Sequence, residues 1–163
     1  MSVFVTVGTT SFETLIETVT SKLIVQTLRT LGYKNLTVQY GRGIYEVEEV
    51  SCSQFSVTGY RYKSSILDDI ENADLVISHA GAGSCLEVLE ARKPLIVVVN
   101  EKLMNNHQFE LAKQFHQDGH LLYCTCSTLA STLKDMDLSS LKPLPPPKTS
   151  QCVLHIKEHF GLS

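Results

Sequence analysis

At the centre of the chain lies the segment Asp74-Leu75-Val76-Ile77-Ser78-His79-Ala80-Gly81-Ala82-Gly83-Ser84. Residues 74–78 have the composition of a strand that is buried on both faces of a parallel sheet. The small residues that follow let the chain turn into a helix, which we predict over residues 85–92. A second apolar strand is predicted over residues 94–99. Strand, helix and strand in this order build a parallel sheet, so the segment predicts an α/β fold.

The alternation of strands and helices extends towards the N-terminus. There we predict strands over residues 3–7, 36–39 and 55–58, and helices over residues 12–31 and 66–73. The hydroxyls of residues 9–11 are expected to cap the first helix, and Gly32 is expected to end it. The Gly-Arg-Gly turn of residues 41–43 and Gly59 are expected to end the second and third strands.

Towards the C-terminus we predict helices over residues 105–117 and 127–136, the second capped by Ser127, and a strand over residues 121–124. Residues 1–140 are thus expected to form one Rossmann-like domain, a parallel sheet with helices on both faces. Four of the five prolines lie within residues 143–147, so residues 141–150 are predicted to be an extended linker. Apolar spacing predicts a helical tail over residues 151–163.

The composition excludes several classes of protein. Of the 163 residues, 43% are hydrophobic and 19% are charged, and the formal net charge is −3. This is typical of a folded domain and lacks the basic excess that binding to nucleic acid needs, so no nucleic-acid partner is expected. No apolar stretch has the roughly 18 residues of a membrane span, and no secretory leader is recognised. Five cysteines, an odd number, favour reduced thiols and a cytoplasmic location.

The loop Gly8-Thr9-Thr10-Ser11 follows the first predicted strand. Parallel sheets bind ligands beyond the carboxyl ends of their strands. Free backbone N–H groups and hydroxyls at a helix N-terminus make a cradle for a phosphate. The same residue types are also ordinary turn and cap residues, and this loop alone leaves both interpretations open.

The turn Gly81-Ala82-Gly83-Ser84 is a stronger candidate for a diphosphate site, because small residues admit a ligand and the helix dipole favours its charge. It is not the dinucleotide fingerprint G-x-G-x-x-G, since Leu86 stands at the last glycine, and NAD is disfavoured. Ser84 and Glu87 have the spacing of a capping box. Two roles therefore stay open for Glu87, a bond to the helix start or a bond to a ribose.

A third loop precedes the predicted helix over residues 105–117. It contains Asn105-Asn106-His107-Gln108, whose donors and acceptors suit sugar hydroxyls. A solvated helix start with Asn as N-cap would explain the same residues equally well.

A metal site is not expected. Cys124 and Cys126 are predicted to share one face of a strand as core residues, because no second Cys or His pair stands at zinc-site spacing. The sequence also lacks the G-x-S-x-G elbow and the P-loop lysine motif, so hydrolase and phosphoryl-transfer functions have no support.

Several of these segments together resemble one family. They are residues 5–10, residues 74–84, Glu87, Lys93-Pro94 and residues 105–108. They resemble the donor-binding C-terminal half of the glycosyltransferases that include the bacterial lipid-linked peptidoglycan N-acetylglucosaminyltransferase. The family also includes a eukaryotic transferase that adds the second sugar to dolichyl-diphosphate-linked N-acetylglucosamine (GlcNAc). The resemblance covers residues 1 to about 140.

The resemblance implies half of a GT-B fold and a hexosyltransferase that uses UDP-GlcNAc as its donor substrate, with inversion and without a cofactor. A membrane-anchored partner subunit would supply the acceptor half and bind the lipid-linked sugar acceptor. The chain would then be recruited to the cytosolic face of the endoplasmic reticulum.

The resemblance also implies the site residues. It assigns the ribose to Glu87, the phosphates to two loops, the sugar to a polar segment, and the donor's surroundings to three further positions. The implied substrate-binding residues are Gly8, Thr9, Thr10, Gly41, Arg42, Arg61, Gly81, Ala82, Gly83, Ser84, Glu87, Asn105, Asn106, His107 and Gln108. Among them, Gln108 matches the glutamine that holds the GlcNAc hydroxyls. The general base is expected on the partner chain, with His107 as the alternative on this chain.

One residue departs from the family pattern. Relatives usually carry glycine two residues before the strand proline, where this chain has Arg92. A left-handed arginine there would cost about 1 kcal/mol. The alternative function is therefore that of a non-catalytic paralogue, which would bind a nucleotide sugar or act as a scaffold.

Overall fold

The computed structural model describes residues 1–8, 11–43, 47–51, 54–100 and 106–142. These residues form one seven-stranded sheet in the order β3-β4-β2-β1-β5-β6-β7. The strands are β1 (Ser2–Thr6), β2 (Asn35–Gln39), β3 (Val50–Ser51), β4 (Ser56–Tyr60), β5 (Leu75–His79), β6 (Leu95–Val99) and β7 (Leu122–Thr125). The helices are α1 (Glu13–Val19), α2 (Lys22–Thr30), α3 (Leu67–Asn72), α4 (Ala82–Glu90), α5 (Asn106–Gln117) and α6 (Leu129–Asp135).

The sheet is parallel except for β3, and this confirms the predicted fold class. At its centre Val5 of β1 pairs with Val38 of β2 on one side and with Ile77 of β5 on the other. All five residues of β6 are buried, as the unbroken apolar run predicts for a strand covered on both faces.

Helices cover both faces, and alternate strand residues supply the two halves of the core. Val5 points into the layer shared with Leu15, Leu28 and Leu133 of α1, α2 and α6. Its neighbour Phe4 points into the opposite layer with helices α3, α4 and α5. This alternation follows from the two-residue period of a strand.

The predicted helix over residues 12–31 is wrong, because two helices stand in its place. The chain breaks between Val19 and Lys22, where Ser21 becomes the N-cap of α2 and accepts the N–H of Ile24 at 3.4 Å. The Ser21 hydroxyl also donates to the Thr18 carbonyl at 2.6 Å. A hydroxyl that bonds nearby backbone groups competes with the helix, which explains the break. The predicted cap at residues 9–11 is also wrong, since the N-cap of α1 is Phe12, whose side chain makes no cap hydrogen bond.

Two smaller predictions also fail, and one strand was not predicted. Gly59 lies inside β4 and does not end it, and an ideal Cβ there would stand 2.8 Å from Cβ of Val47. The two-residue strand β3 pairs antiparallel with β4 and is too short to carry a periodic signal. Helix α6 begins at Leu129 after a 3-10 turn, and Thr125 and Thr128 form the capping box there in place of Ser127.

Three helices end in the same way, with a left-handed residue followed by a return to the extended chain. The left-handed residue is Gly32 after α2 (φ 97°), Gly119 after α5 (φ 81°) and Arg92 after α4 (φ 60°). At Arg92 the N–H bonds the Leu89 carbonyl at 3.0 Å and the next N–H bonds the Val88 carbonyl at 3.3 Å. This is the hydrogen-bond pattern of a Schellman motif, and it confirms that Arg92 is left-handed.

Substitution Arg92→Gly is expected to raise the free energy of unfolding by about 1 kcal/mol, because glycine adopts this φ without a Cβ penalty. Arg92 is exposed, so its side chain adds little that would be lost. The matched reverse control is Gly119→Ala, whose Cβ would meet only the Lys142 side chain, at 3.6 Å or more. That variant should lose about 1 kcal/mol. Urea denaturation of both variants measures this, and a destabilised Arg92→Gly would contradict it.

No helix within the described ranges is long and apolar enough to cross a membrane. The predicted linker and tail, residues 141–163, lie outside the described residues apart from 141 and 142. The domain boundaries stay predictions.

Candidate functional site

The strand order reverses at β1, which lies between β2 and β5. In open parallel sheets this switch point leaves a crevice at the carboxyl ends of the strands. A cavity of about 190 Å³ lies there, lined by Gly8 after β1, Gln39 at the end of β2, residues 62–66 after β4, and Glu87 of α4. The structure therefore brings together Gly8 and Glu87, two of the residues predicted for the site.

A larger groove of about 610 Å³ lies elsewhere, at the amino ends of the strands. Its lining includes Lys22, Arg29, Lys34 and Gln54 and none of the predicted site residues. The volume of a cavity therefore does not identify the candidate site. The reversal of strand order in the sheet identifies it.

The small-residue turn after β5 packs around an imidazole. His79 ends β5, and its Nε2 lies 3.5 Å from Oγ of Ser84. A Cβ on Gly81 would stand 2.3 Å from Cε1 of His79, and a Cβ on Gly8 would stand 2.9 Å from Nε2. Glycine is therefore needed at both positions by the imidazole itself.

His79 lies against two of the candidate site loops, and the sequence interpretation gave it no role. Burial lowers its pKa from 6.5 to about 4, so the ring is neutral at pH 7. A neutral imidazole keeps one N–H to donate. The sequence feature that could have identified His79 is its position as the last residue of a buried strand, directly before a glycine turn.

The titration of His79 predicts a pH effect on stability. Its pKa is lower in the folded protein than in the unfolded chain, so between pH 6.5 and 4 the unfolded chain binds the extra proton. Stability should therefore fall as pH falls through this window, by about 3 kcal/mol at most from this group. Denaturation of the wild type and of His79→Gln at pH 7 and pH 4.5 measures the difference. An equal pH dependence in the two proteins would contradict the prediction.

The N-terminus of α4 excludes one of the two roles left open for Glu87. The helix begins at Ala82 with Gly81 as its N-cap, so Ser84 lies in the first turn and is not a cap. The predicted capping box of Ser84 and Glu87 is therefore wrong. The half-buried Glu87 carboxylate lines the cavity, and no residue of the described part of the chain forms a hydrogen bond with it. The carboxylate can therefore accept hydrogen bonds from a ligand in the cavity.

The loop that begins at Gly8 was expected to offer free backbone N–H groups to a phosphate. Its first residue does not do so. The N–H of Gly8 (φ 66°) already donates to Oε1 of Gln39 at 2.9 Å and to Oγ1 of Thr6 at 3.1 Å. Free N–H groups of this loop would have to come from residues beyond Gly8. Thr9 and Thr10 lie outside the described residues.

The predicted site residues Gly41 and Arg61 contact each other. Neither they nor Arg42 are among the residues that line the cavity. Nη1 of Arg61 donates to the carbonyl of Gly43 at 2.6 Å and of Gly41 at 3.3 Å. The guanidinium also lies 5.1 Å from the centre of the Tyr40 ring. Arg61 thus holds the turn of residues 41–43, in which Arg42 is exposed.

Residues 62–66 form the wall of the cavity that the sequence interpretation missed. Nζ of Lys63 contacts Oδ2 of Asp69 at 3.2 Å and lies 4.2 Å from the centre of the Tyr60 ring. The Tyr60 hydroxyl donates to the same carboxylate oxygen at 2.5 Å, and burial with this bond raises the tyrosine pKa. The three side chains fix the start of this wall and place a cation, Lys63, at the cavity.

The polar segment of the third loop begins α5. The helix starts at Asn106 and follows β6, which confirms the predicted helix over residues 105–117 to within one residue. Asn105 lies outside the described residues. The roles predicted for Asn105, Asn106, His107 and Gln108 stay predictions.

The cysteines differ in part from expectation. Cys124 packs in the core as predicted, and burial raises its pKa to about 12, as it does for Cys85. Cys126 belongs to the 3-10 turn after β7, so the two sulfurs do not share a strand face. Both are free thiols, as is Cys85. Among the described residues no group of three or more His, Cys, Asp or Glu side chains could hold a metal ion.

The switch-point crevice, the glycine turn and the half-buried glutamate belong to a sheet of six parallel strands in the order β4-β2-β1-β5-β6-β7, with β3 added at one edge. This architecture matches the C-terminal half of GT-B glycosyltransferases. The structure of MurG from Acinetobacter baumannii superposes with a TM-score of 0.66 over 96% of this chain and 49% of that chain, at 20% identity.

Sequence comparison gives the family. The glycosyltransferase family 28 C-terminal domain matches residues 2–159, and the chain belongs to this family. A solution structure of ALG13 superposes with a TM-score of 0.70 at 28% identity, over 93% of this chain and 94% of that chain.

Curated relatives carry the name UDP-N-acetylglucosamine transferase subunit ALG13. The human relative is 61% identical over 127 residues, which are 78% of this chain and 11% of that protein. The relative from Saccharomyces cerevisiae is 33% identical over 178 aligned positions, 88% of each protein. The chain thus spans about a tenth of the human relative and most of the yeast relative.

Proposed function

We propose that this chain is the donor-binding subunit of a UDP-GlcNAc-dependent glycosyltransferase. It binds UDP-GlcNAc, and a membrane-anchored partner binds dolichyl-diphosphate-GlcNAc, the acceptor of the second sugar. The names of the relatives support the donor, and the match to one half of MurG supports a second lobe opposite this one. The single observation that carries the proposal is the cavity at the switch point, which both Glu87 and Gly8 line.

Each part of the donor has a place in this site. The Glu87 carboxylate accepts hydrogen bonds from the ribose hydroxyls. The diphosphate lies against the N-terminus of α4, where the N–H groups of the first turn have no partners within the helix. The neutral His79 imidazole beneath this turn and the Lys63 ammonium in the cavity lining add hydrogen-bond donors. Residues 105–108 bind the hydroxyls of the sugar.

The reaction is an inverting transfer. A hydroxyl of the acceptor sugar attacks the anomeric carbon of GlcNAc, the bond from that carbon to the diphosphate oxygen breaks, and UDP leaves with the electron pair. The hydroxyl proton passes to a base on the partner. The helix N-terminus and the donors around it stabilise the charge that develops on the leaving diphosphate.

A second subunit is part of the proposal because a GT-B active site lies between two lobes and the described sheet forms one lobe. The partner would hold the complex at the cytosolic face of the endoplasmic reticulum.

The test is transfer of labelled GlcNAc from UDP-GlcNAc to a lipid-diphosphate-GlcNAc acceptor. It is run with this chain, with membranes that contain the partner, and with both together. Turnover only in the combination is the expected result. A stable complex that shows no turnover would contradict it and support the alternative of a non-catalytic, nucleotide-sugar-binding scaffold.

A further inference from the structure

Gln39 places a primary amide in the core at the carboxyl end of β2. The residue is 1% exposed. Its Oε1 accepts from Oγ1 of Thr6 at 2.6 Å and from the N–H of Gly8 at 2.9 Å. Its Nε2 donates to the carbonyls of Gly8 at 2.6 Å and of Arg61 at 2.7 Å. Both donors and both acceptor positions of the amide are thus used.

These bonds join two separate walls of the cavity. Gly8 begins the loop after β1, and both its N–H and its carbonyl are bonded to the one amide. Arg61 begins the segment that continues into residues 62–66, which line the cavity together with Gly8 and Glu87. The amide therefore fixes the distance between the two loops and the orientation of the left-handed Gly8.

A buried amide is a costly way to fill space in a core, where an aliphatic side chain would pack without needing partners. Its partners here lie on the two cavity loops and on the adjacent strand. A network in which every polar group is satisfied rigidifies its surroundings. Because Gln39 lines the cavity, the rigid network lies directly at the proposed donor site.

We propose that Gln39 is a positioning residue for the nucleotide-sugar donor, which acts by holding the Gly8 loop and the residue 61–66 loop at the spacing that the donor requires. The proposal rests on the proposed function, because it assigns the cavity to that donor. Gln39 acts through the two loops and performs no step of the transfer.

Two variants isolate this role. Gln39→Glu keeps the shape but replaces the Nε2 donor by an oxygen, which then faces the carbonyls of Gly8 and Arg61 and is expected to push the loops apart. Gln39→Met keeps the length without a charge and removes all four bonds. The matched control is Thr6→Val, which removes a buried hydroxyl from the same network but leaves the bonds between Gln39 and both loops.

The experiment is the transfer assay with the chain and its partner, in which KM for UDP-GlcNAc, KM for the lipid acceptor and kcat are measured beside the melting temperature. We expect both Gln39 variants to raise the donor KM about tenfold, the effect of one to two lost hydrogen bonds, with the acceptor KM unchanged. Thr6→Val should change the donor KM less than about twofold.

Other results would overturn the proposal. An unchanged donor KM in a folded Gln39 variant, or an equal rise in Thr6→Val at an equal loss of melting temperature, would make Gln39 a purely structural residue. Failure of the wild-type pair to bind UDP or transfer GlcNAc is a different result. It would overturn the proposed function, and this proposal with it.

Discussion

Replacement of Glu87 by alanine is expected to lower kcat/KM for UDP-GlcNAc about 100-fold with little change in stability. The carboxylate lines the switch-point cavity and has no hydrogen-bond partner among the described residues, so the fold does not depend on it. Hydrogen bonds from two ribose hydroxyls to a charged acceptor contribute about 1.5–3 kcal/mol in all, which corresponds to a factor of 10 to 100 or more.

Two controls make this result specific. Glu90→Ala removes a carboxylate from an exposed position three residues further along α4 and should leave transfer unchanged. Glu87→Gln keeps the shape and should retain part of the activity. The measurement is donor titration in the transfer assay beside thermal denaturation. A loss of stability in Glu87→Ala without a defect in donor use would contradict the ribose role.

Replacement of Gly81 by alanine is expected to destabilise the protein by about 2–3 kcal/mol and to abolish donor binding. Its backbone (φ −81°, ψ 127°) suits any residue, so the penalty is steric. The added Cβ would stand 2.3 Å from Cε1 and 2.6 Å from Nε2 of His79. Because that imidazole is largely buried, it can move only by displacing the turn at the start of α4.

Gly83→Ala, two residues away in the same turn, is the matched control for stability. A Cβ at Gly83 would meet no atom within 4 Å, and alanine favours the helix by about 1 kcal/mol over glycine. Urea denaturation should therefore give opposite signs for the two variants. Donor binding is measured as the shift in melting temperature with UDP-GlcNAc. Equal stability of the two proteins would show that His79 does not fill the space beneath Gly81.

Much of the fold was predictable because its central elements carry local signals. β5 and β6 are apolar runs flanked by turn residues, and they form where predicted to within one residue. The left-handed conformation of Arg92 was expected from the family resemblance, because relatives usually carry glycine at this position. These features depend on neighbours in sequence.

The errors lie where local signals conflict or are too short. Residues 12–31 have apolar spacing for a single helix, but the hydroxyls of Thr18, Thr20 and Ser21 bond backbone groups and break it. The strand β3 has two residues and forms only because β4 offers an edge. The helix start at Ala82 lies three residues before the predicted one, because Gly81 at the N-cap and Gly83 in the first turn conceal it.

The sequence by itself determined the α/β class, the candidate loops for the chemistry and Glu87 as a candidate ligand, because apolar period and turn composition act over a few residues. Only the tertiary structure decided that Glu87 faces a cavity and that His79 packs between two glycine loops. It also decided that Gln39 bonds both walls of that cavity. These relations join residues at the ends of four strands and in the segments that follow them, and the bonds and burial that create them exist only once the sheet has brought the strand ends together.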